Sequence, residues 1–192
     1  RIARSYTGKS KIAFCGYHGW HDWYLSANIK DKKNLDDQLM TGLSPVGVPK
    51  ELRNTSIPFR DGDINKLEEI LKAGDVAAIK MEVMRSKEPS ISYLKDIRRL
   101  ANKYKSLLIF DECTSGFRET FGGLHLKYKI QPDICVLGKT LGNGYAITSV
   151  IGTKKVMSAS QSTFISSTFF TERIGYVAAL KTLEQMEKYR SW

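Results

Sequence analysis

The stretch "DICVLGKTLGNGY", residues 133–145, passes from an apolar run straight into a loop carrying Gly138, Lys139, Gly142 and Gly144. Residues 134–137 lack the alternation of a half-exposed strand. They read instead as a strand buried on both faces, as in a parallel sheet covered by helices. A lysine delivered at the end of such a strand is expensive, because desolvation disfavours the ammonium. It is expected either to be paired or to work as a neutral amine.

Working outward, "KIAFC" (11–15), "VAAIKMEV" (76–83) and "SLLIFDE" (106–112) are apolar runs of the same kind, and "ITSVIG" (147–152) follows the glycine loop. Between the second and third lies "SYLKDIRRLANKY", where Tyr93 or Leu94, Ile97, Leu100, Ala101 and Tyr104 recur at helical spacing. "DINKLEEILKAG" (63–74) predicts a second amphipathic helix, with Asp63 or Asn65 as its cap and Gly74 at its exit. "TERIGYVAALKTLEQMEK" (171–188) predicts a third, with Ile174, Val177, Ala178 and Met186 on one side, and "RIARSYTGKSK" reads as the tail of a helix entering the first strand. Apolar strands alternating with amphipathic helices give an α/β chain: three α/β/α layers around a mostly parallel sheet. Residues 28–60, with Gly42, Pro45, Gly47 and Pro49, fit no regular element and are expected to form a long surface excursion.

The 192 residues are 42% hydrophobic, enough to bury a sizeable core. A net charge of +10 points to nucleic acid, an anionic membrane or acidic small molecules as partners. The basic residues are scattered, which favours small molecules; Lys30, Lys32 and Lys33 come closest to a block and suit a solvated loop. No apolar run approaches the roughly 20 residues that span a bilayer, and no signal-peptide pattern opens the chain. Neither a nucleic-acid nor a membrane partner is expected. Cys15, Cys113 and Cys135 form no metal or redox spacing and suit reduced thiols in a cytoplasmic protein.

In such sheets ligands sit at the carboxyl ends of the strands. There the chain places Tyr17 and His18, Glu82, Asp111 with Glu112, and Lys139. An acid and a lysine at one edge serve equally as a structural ion pair or as a catalytic pair. Gly138-Lys139-Thr140 is no phosphate loop, since the position five before Gly138 is Asp133.

Taken in order, "CGYHGWHD", "AAIKMEVMRSKEPS", "LLIFDECTSGFR", "PDICVLGKTLGNGYAITSVIG" and "SSTFFTERIG" resemble the class III pyridoxal-phosphate aminotransferases, the group that includes glutamate-1-semialdehyde aminomutase. The resemblance implies the large domain of a fold-type I enzyme with pyridoxal 5'-phosphate as cofactor. Residues 1–192 would be its central part, with the N-terminal segment carrying the phosphate cup and the C-terminal small domain lying outside them. Lys139 resembles the lysine that holds the cofactor as an internal aldimine, and Asp111 the partner of the pyridine nitrogen. Tyr17 resembles the aromatic that stacks on the ring, with packing as its other reading, and His18 is its neighbour. Cys113 stands where the family has a branched apolar residue against the opposite ring face. Thr168 resembles the threonine that reaches the phosphate in a neighbouring subunit, or it is a plain cap. Glu82 would support the site from behind, with Val83 replacing the family's proline, and His125 suits a surface or packing role. The implied activity is transfer of an amino group between a small amine or amino acid and a carbonyl acceptor, in a homodimer with shared sites. Intramolecular aminomutase action and a noncatalytic relative are the alternatives. Substrate identity is not readable.

Overall fold

The structure is a computed structural model describing residues 1–192. Six strands form one sheet: β1 (Lys11–Cys15), β2 (Ser56–Pro58), β3 (Val76–Glu82), β4 (Leu107–Glu112), β5 (Ile134–Leu137) and β6 (Ser149–Gly152), in the order β2-β1-β3-β4-β5-β6. All neighbouring pairs are parallel except β5 with β6. Register aligns Glu82 with Asp111 and Asp111 with Val136, so the strand ends carrying the polar residues converge at one edge.

The helices are α1 (Ile2–Thr7), α2 (Asp22–Leu25), α3 (Ile64–Lys72), α4 (Ile91–Lys103), α5 (His125–Tyr128), α6 (Lys154–Met157) and α7 (Ile174–Tyr189). The two amphipathic helices start on side-chain caps: Asp63 Oδ1, one of the two expected candidates, accepts from Lys66 N at 2.9 Å, and Ser90 Oγ accepts from Tyr93 N at 3.1 Å. Each then buries a stripe, Leu67, Ile70 and Leu71 on α3 and Leu94, Ile97, Leu100 and Ala101 on α4. These stripes cover the sheet face formed by Ala13, Ile79, Met81, Leu108 and Phe110. Burying each such aliphatic side chain stabilises by about 1.5–3 kcal/mol before its entropy cost is counted. On the other face Ile12, Phe14, Ala78 and Ile134 pack with α1, α2 and α6. The three layers and the mostly parallel sheet are those predicted.

Residues 28–60 depart from their expectation. They end in β2, which pairs with β1, and they are pinned along the way. Asn28, fully buried, donates to Leu43 O at 2.7 Å and accepts from Leu35 N at 3.0 Å, while Gln38 Oε1 accepts from Gly16 N at 2.6 Å. A three-residue strand is too short for a periodic signal, and buried asparagine is an unusual anchor. The predicted side of the last helix also changes. Gly175, Ala179 and Met186 are buried on α7, whereas Ile174 and Val177 are 63% and 62% exposed. That helix is apolar on two sides, and periodicity cannot choose between them.

Candidate active site

Asp111 sits at the end of β4 with its side chain only 12% exposed. Its Oδ2 accepts from His18 Nδ1 at 2.9 Å and forms an ion pair with the Lys80 ammonium, also at 2.9 Å, and its Oδ1 accepts from Cys113 N at 3.3 Å. Burial pushes toward the neutral acid, but the His18 hydrogen bond and the Lys80 charge prevail and hold this carboxyl well below the usual carboxylate range. Asp111 is therefore a fixed anion at the sheet edge.

His18 is placed by the turn after β1, where Gly16 and Gly19 take positive φ. At Gly16, with φ +102°, a Cβ would also meet Glu82 Oε2 at 2.7 Å, so this turn depends on glycine there. The imidazole has no exposed side-chain surface; Nε2 lies 3.0 Å from Cys15 O, and the ring stacks near Trp23 with centroids 6.2 Å apart. Burial lowers its pKa from the ordinary value and Lys80 lowers it further, against the pull of Asp111. Tyr17 is half-buried, edge-on to Tyr24 at 5.6 Å between centroids. Glu82, which the sequence puts behind the site, is held in a fork by Arg85 Nε and Nη2.

Lys139 follows β5. Its backbone has φ +43°, a left-handed conformation that few non-glycine residues adopt, and its amine donates to Thr114 Oγ1 at 2.6 Å. The residue is exposed, so the desolvation expected of a lysine at an interior strand end does not come from this chain. The strand stops at Leu137, and the turn at Lys139 carries the side chain outward. Gly138 lies in a close approach, since a Cβ there would stand 3.1 Å from Thr148 Cγ2 and 3.3 Å from Cys113 Sγ and would press on both. Cys113 thus links the two strand ends, its amide on Asp111 and its sulfur against Gly138. Burial, then Asp111, push its thiol up to about 11, and it stays protonated at neutral pH.

Of the six expected site residues, His18 and Cys113 bond to Asp111, Tyr17 adjoins His18 in the chain, and Lys139 follows the strand beside that of Asp111. Thr168 is exposed in a 3₁₀ turn, Thr168–Thr171, and shares no hydrogen bond with them; the cap of that turn is Ser167, which accepts from Phe169 N at 3.2 Å. The plain-cap reading of Thr168 is therefore corrected. So is the surface reading of His125, which is buried with Nδ1 2.5 Å from Glu112 Oε1. Glu112 is fully buried and also receives Leu124 N, His125 N at 3.2 Å and Ser115 Oγ at 3.3 Å. This knot clamps the loop that carries Thr114.

Lys80 and Thr114 were not among the residues expected from sequence. A charged residue inside the apolar run "VAAIKMEV" was the available signal for Lys80; Thr114 gave none.

The family model described as "Aminotransferase class-III" matches residues 1–191. A 3-aminobutyryl-CoA aminotransferase of Cloacimonas acidaminovorans is 38% identical across 99% of the chain and 44% of its own length. A glutamate-1-semialdehyde 2,1-aminomutase of Saccharolobus islandicus is 33% identical across 98% of the chain and 45% of its own. The chain thus spans somewhat under half the length of these curated relatives. Among solved structures, an omega-transaminase from Sphaerobacter thermophilus superposes with a TM-score of 0.80 at 24% identity, covering 96% of the chain and 45% of that structure, a likeness of fold.

Proposed function

Because the chain belongs to the class-III aminotransferases, a family dependent on pyridoxal 5'-phosphate, we propose that these residues are the cofactor-binding core of an enzyme that moves an amino group between an amine or amino acid and a keto or aldehyde acceptor. The observation that carries this reading is the juxtaposition of a fixed anion, Asp111, and an amine, Lys139, at the ends of the neighbouring strands β4 and β5.

The donor set suits the cofactor. A buried carboxyl held as a fixed anion at the sheet edge can receive a protonated ring nitrogen. When bound, the cofactor supplies an electron sink that acidifies the hydrogen on the amine-bearing carbon of the substrate. Asp111 would accept from the ring nitrogen and keep its proton in place. Lys139 is the residue whose amine would hold the cofactor, and the same amine, when free, would move a proton to and from the substrate carbon. Thr114 holds that amine between these tasks. Tyr17 offers a ring face, and Cys113 a small neutral surface.

The first substrate to try is a β-amino acid thioester, by likeness to the 3-aminobutyryl-CoA enzyme. The aminomutase likeness supports a second reading, intramolecular transfer, which needs no separate acceptor. Assembly belongs to the same proposal: a homodimer in which Thr168 of each copy serves the phosphate in its partner's site. The exposed apolar groups beside it, Phe169, Phe170, Val177 and Leu180, support a covering copy. Three unpaired thiols support a reducing, cytoplasmic setting.

The test is reduction of the intact, cofactor-loaded protein with borohydride, followed by digestion and mass spectrometry. The pyridoxyl mass is expected on the peptide containing Lys139. Its appearance on another lysine, or on none, overturns the reading.

A further inference from the structure

Lys80 is the residue that the proposed reaction leaves unexplained. It stands on β3 opposite Ile109, on a sheet face whose neighbouring groove is walled by Ile12, Ile109, Ile134 and Val136. An apolar side chain would suit that wall. The chain instead places an ammonium there, 17% exposed, which reaches along the face to Asp111 Oδ2 at 2.9 Å and lies 5.3 Å from the centroid of the Trp23 ring. A half-buried lysine needs such an anion, but Asp111 does not need the lysine. His18 and the Cys113 amide already supply it with donors, and the reading above gives it a ring nitrogen to hold.

We propose that Lys80 is a positioning residue that tunes cofactor affinity: its ammonium and the ring nitrogen of pyridoxal 5'-phosphate compete for the Asp111 carboxylate. The charge count carries the inference, which rests on the cofactor reading above. Asp111 and Lys80 are together neutral before anything binds. A protonated ring nitrogen arriving at the same carboxylate puts two cations on one anion in a site largely shielded from water, where a charge is screened far less than in solution. Either Lys80 gives up its bond to Asp111 or the two cations repel each other, and both routes weaken binding. Without Lys80 the carboxylate would be uncompensated except by the imidazole, and it would draw the ring nitrogen more strongly. The same charge acts on His18, which shares Oδ2 with Lys80 and otherwise faces Cys15 O and, at longer range, Glu82. Burial first, and then Lys80, favour the neutral imidazole against the pull of Asp111.

The experiment measures equilibrium binding of pyridoxine 5'-phosphate, which has the ring nitrogen but no aldehyde to condense with Lys139, to the intact apo protein and to its Lys80→Met and Lys80→Arg forms. Methionine matches the lysine stem and suits the apolar wall; arginine keeps the charge. Lys80→Met is expected to bind about tenfold more tightly, the scale of one partly buried charge pair, and Lys80→Arg to stay near wild type. In parallel, NMR of nitrogen-labelled histidine should show the His18 titration moving to higher pH in Lys80→Met and not in Lys80→Arg, a change that a merely structural lysine would not produce. Equal or weaker binding by Lys80→Met, or an unmoved His18 titration, overturns the proposal while the cofactor reading stands. Wild-type protein that binds neither pyridoxine 5'-phosphate nor pyridoxal 5'-phosphate overturns both. Should Lys80→Met fail to fold, Lys80→Gln removes the same charge with a polar side chain and must satisfy the same expectations.

Discussion

Replacing Glu112 with glutamine tests how the site is held. The carboxylate is fully buried and takes donors on both oxygens: His125 Nδ1 at 2.5 Å and His125 N at 3.2 Å on Oε1, and Leu124 N with Ser115 Oγ at 3.3 Å on Oε2. An amide has a single acceptor oxygen. Whichever way it turns, its NH2 group faces one backbone N–H, of Leu124 or of His125, that has lost its partner. Ser115 can rotate its hydroxyl and His125 can change tautomer, but a peptide N–H cannot adapt. One orphaned buried donor costs about 1–3 kcal/mol, and exchanging charge-assisted bonds for neutral ones costs about 1 more, so Glu112→Gln should lose roughly 2–4 kcal/mol. In urea denaturation of the intact protein, with a slope of at least 1–3 kcal/mol per molar, that lowers the midpoint by about 1 M. The change should also reach the chemistry, because the clamped loop carries Thr114 and through it the Lys139 amine. A midpoint indistinguishable from wild type would refute the view that this knot fastens the loop.

Lys139→Ala should leave the fold intact and lower turnover by several orders of magnitude, since the proposed role makes the residue both anchor and base; turnover assays alongside circular dichroism check this, and wild-type turnover would defeat the assignment. Asp111→Asn should make stability less sensitive to acid. A carboxyl held below its unfolded pKa stabilises fully above that ordinary value, near 4, and loses its contribution as pH falls toward its own lower one, so wild type should weaken below about pH 4 more steeply than the variant in urea midpoints taken across that range. Mixing Lys139→Ala with Thr168→Ala chains should restore activity in the mixed dimer, where one site has both residues intact; no recovery, with heterodimer verified by mass, would mean that Thr168 does not serve its partner.

The sequence by itself determined the layers and the edge at which chemistry collects. Unalternating apolar strands can be buried only between two layers of helices, and Asp63, one of the two caps the sequence offered, marks where the α3 helix begins. The residues that end those strands, Tyr17 with His18, Asp111 and Lys139, follow from strand polarity alone, because parallel strands bring their carboxyl ends together. What the tertiary structure decided is who holds whom. That Asp111 is shared between His18 and Lys80 depends on contacts 93 residues apart in one case and on two adjacent strands in the other, and local pattern carries no information about either. Thr114 meets Lys139, and His125 turns inward to Glu112, because the loop between them folds back on β4. Exposure was likewise invisible: Lys139 stands in the open, and of the side that the spacing of α7 suggested Met186 is buried but Ile174 and Val177 are exposed. Local periodicity fixes which residues can face a core, whereas the partner of a charge is set by where distant strands place it in space.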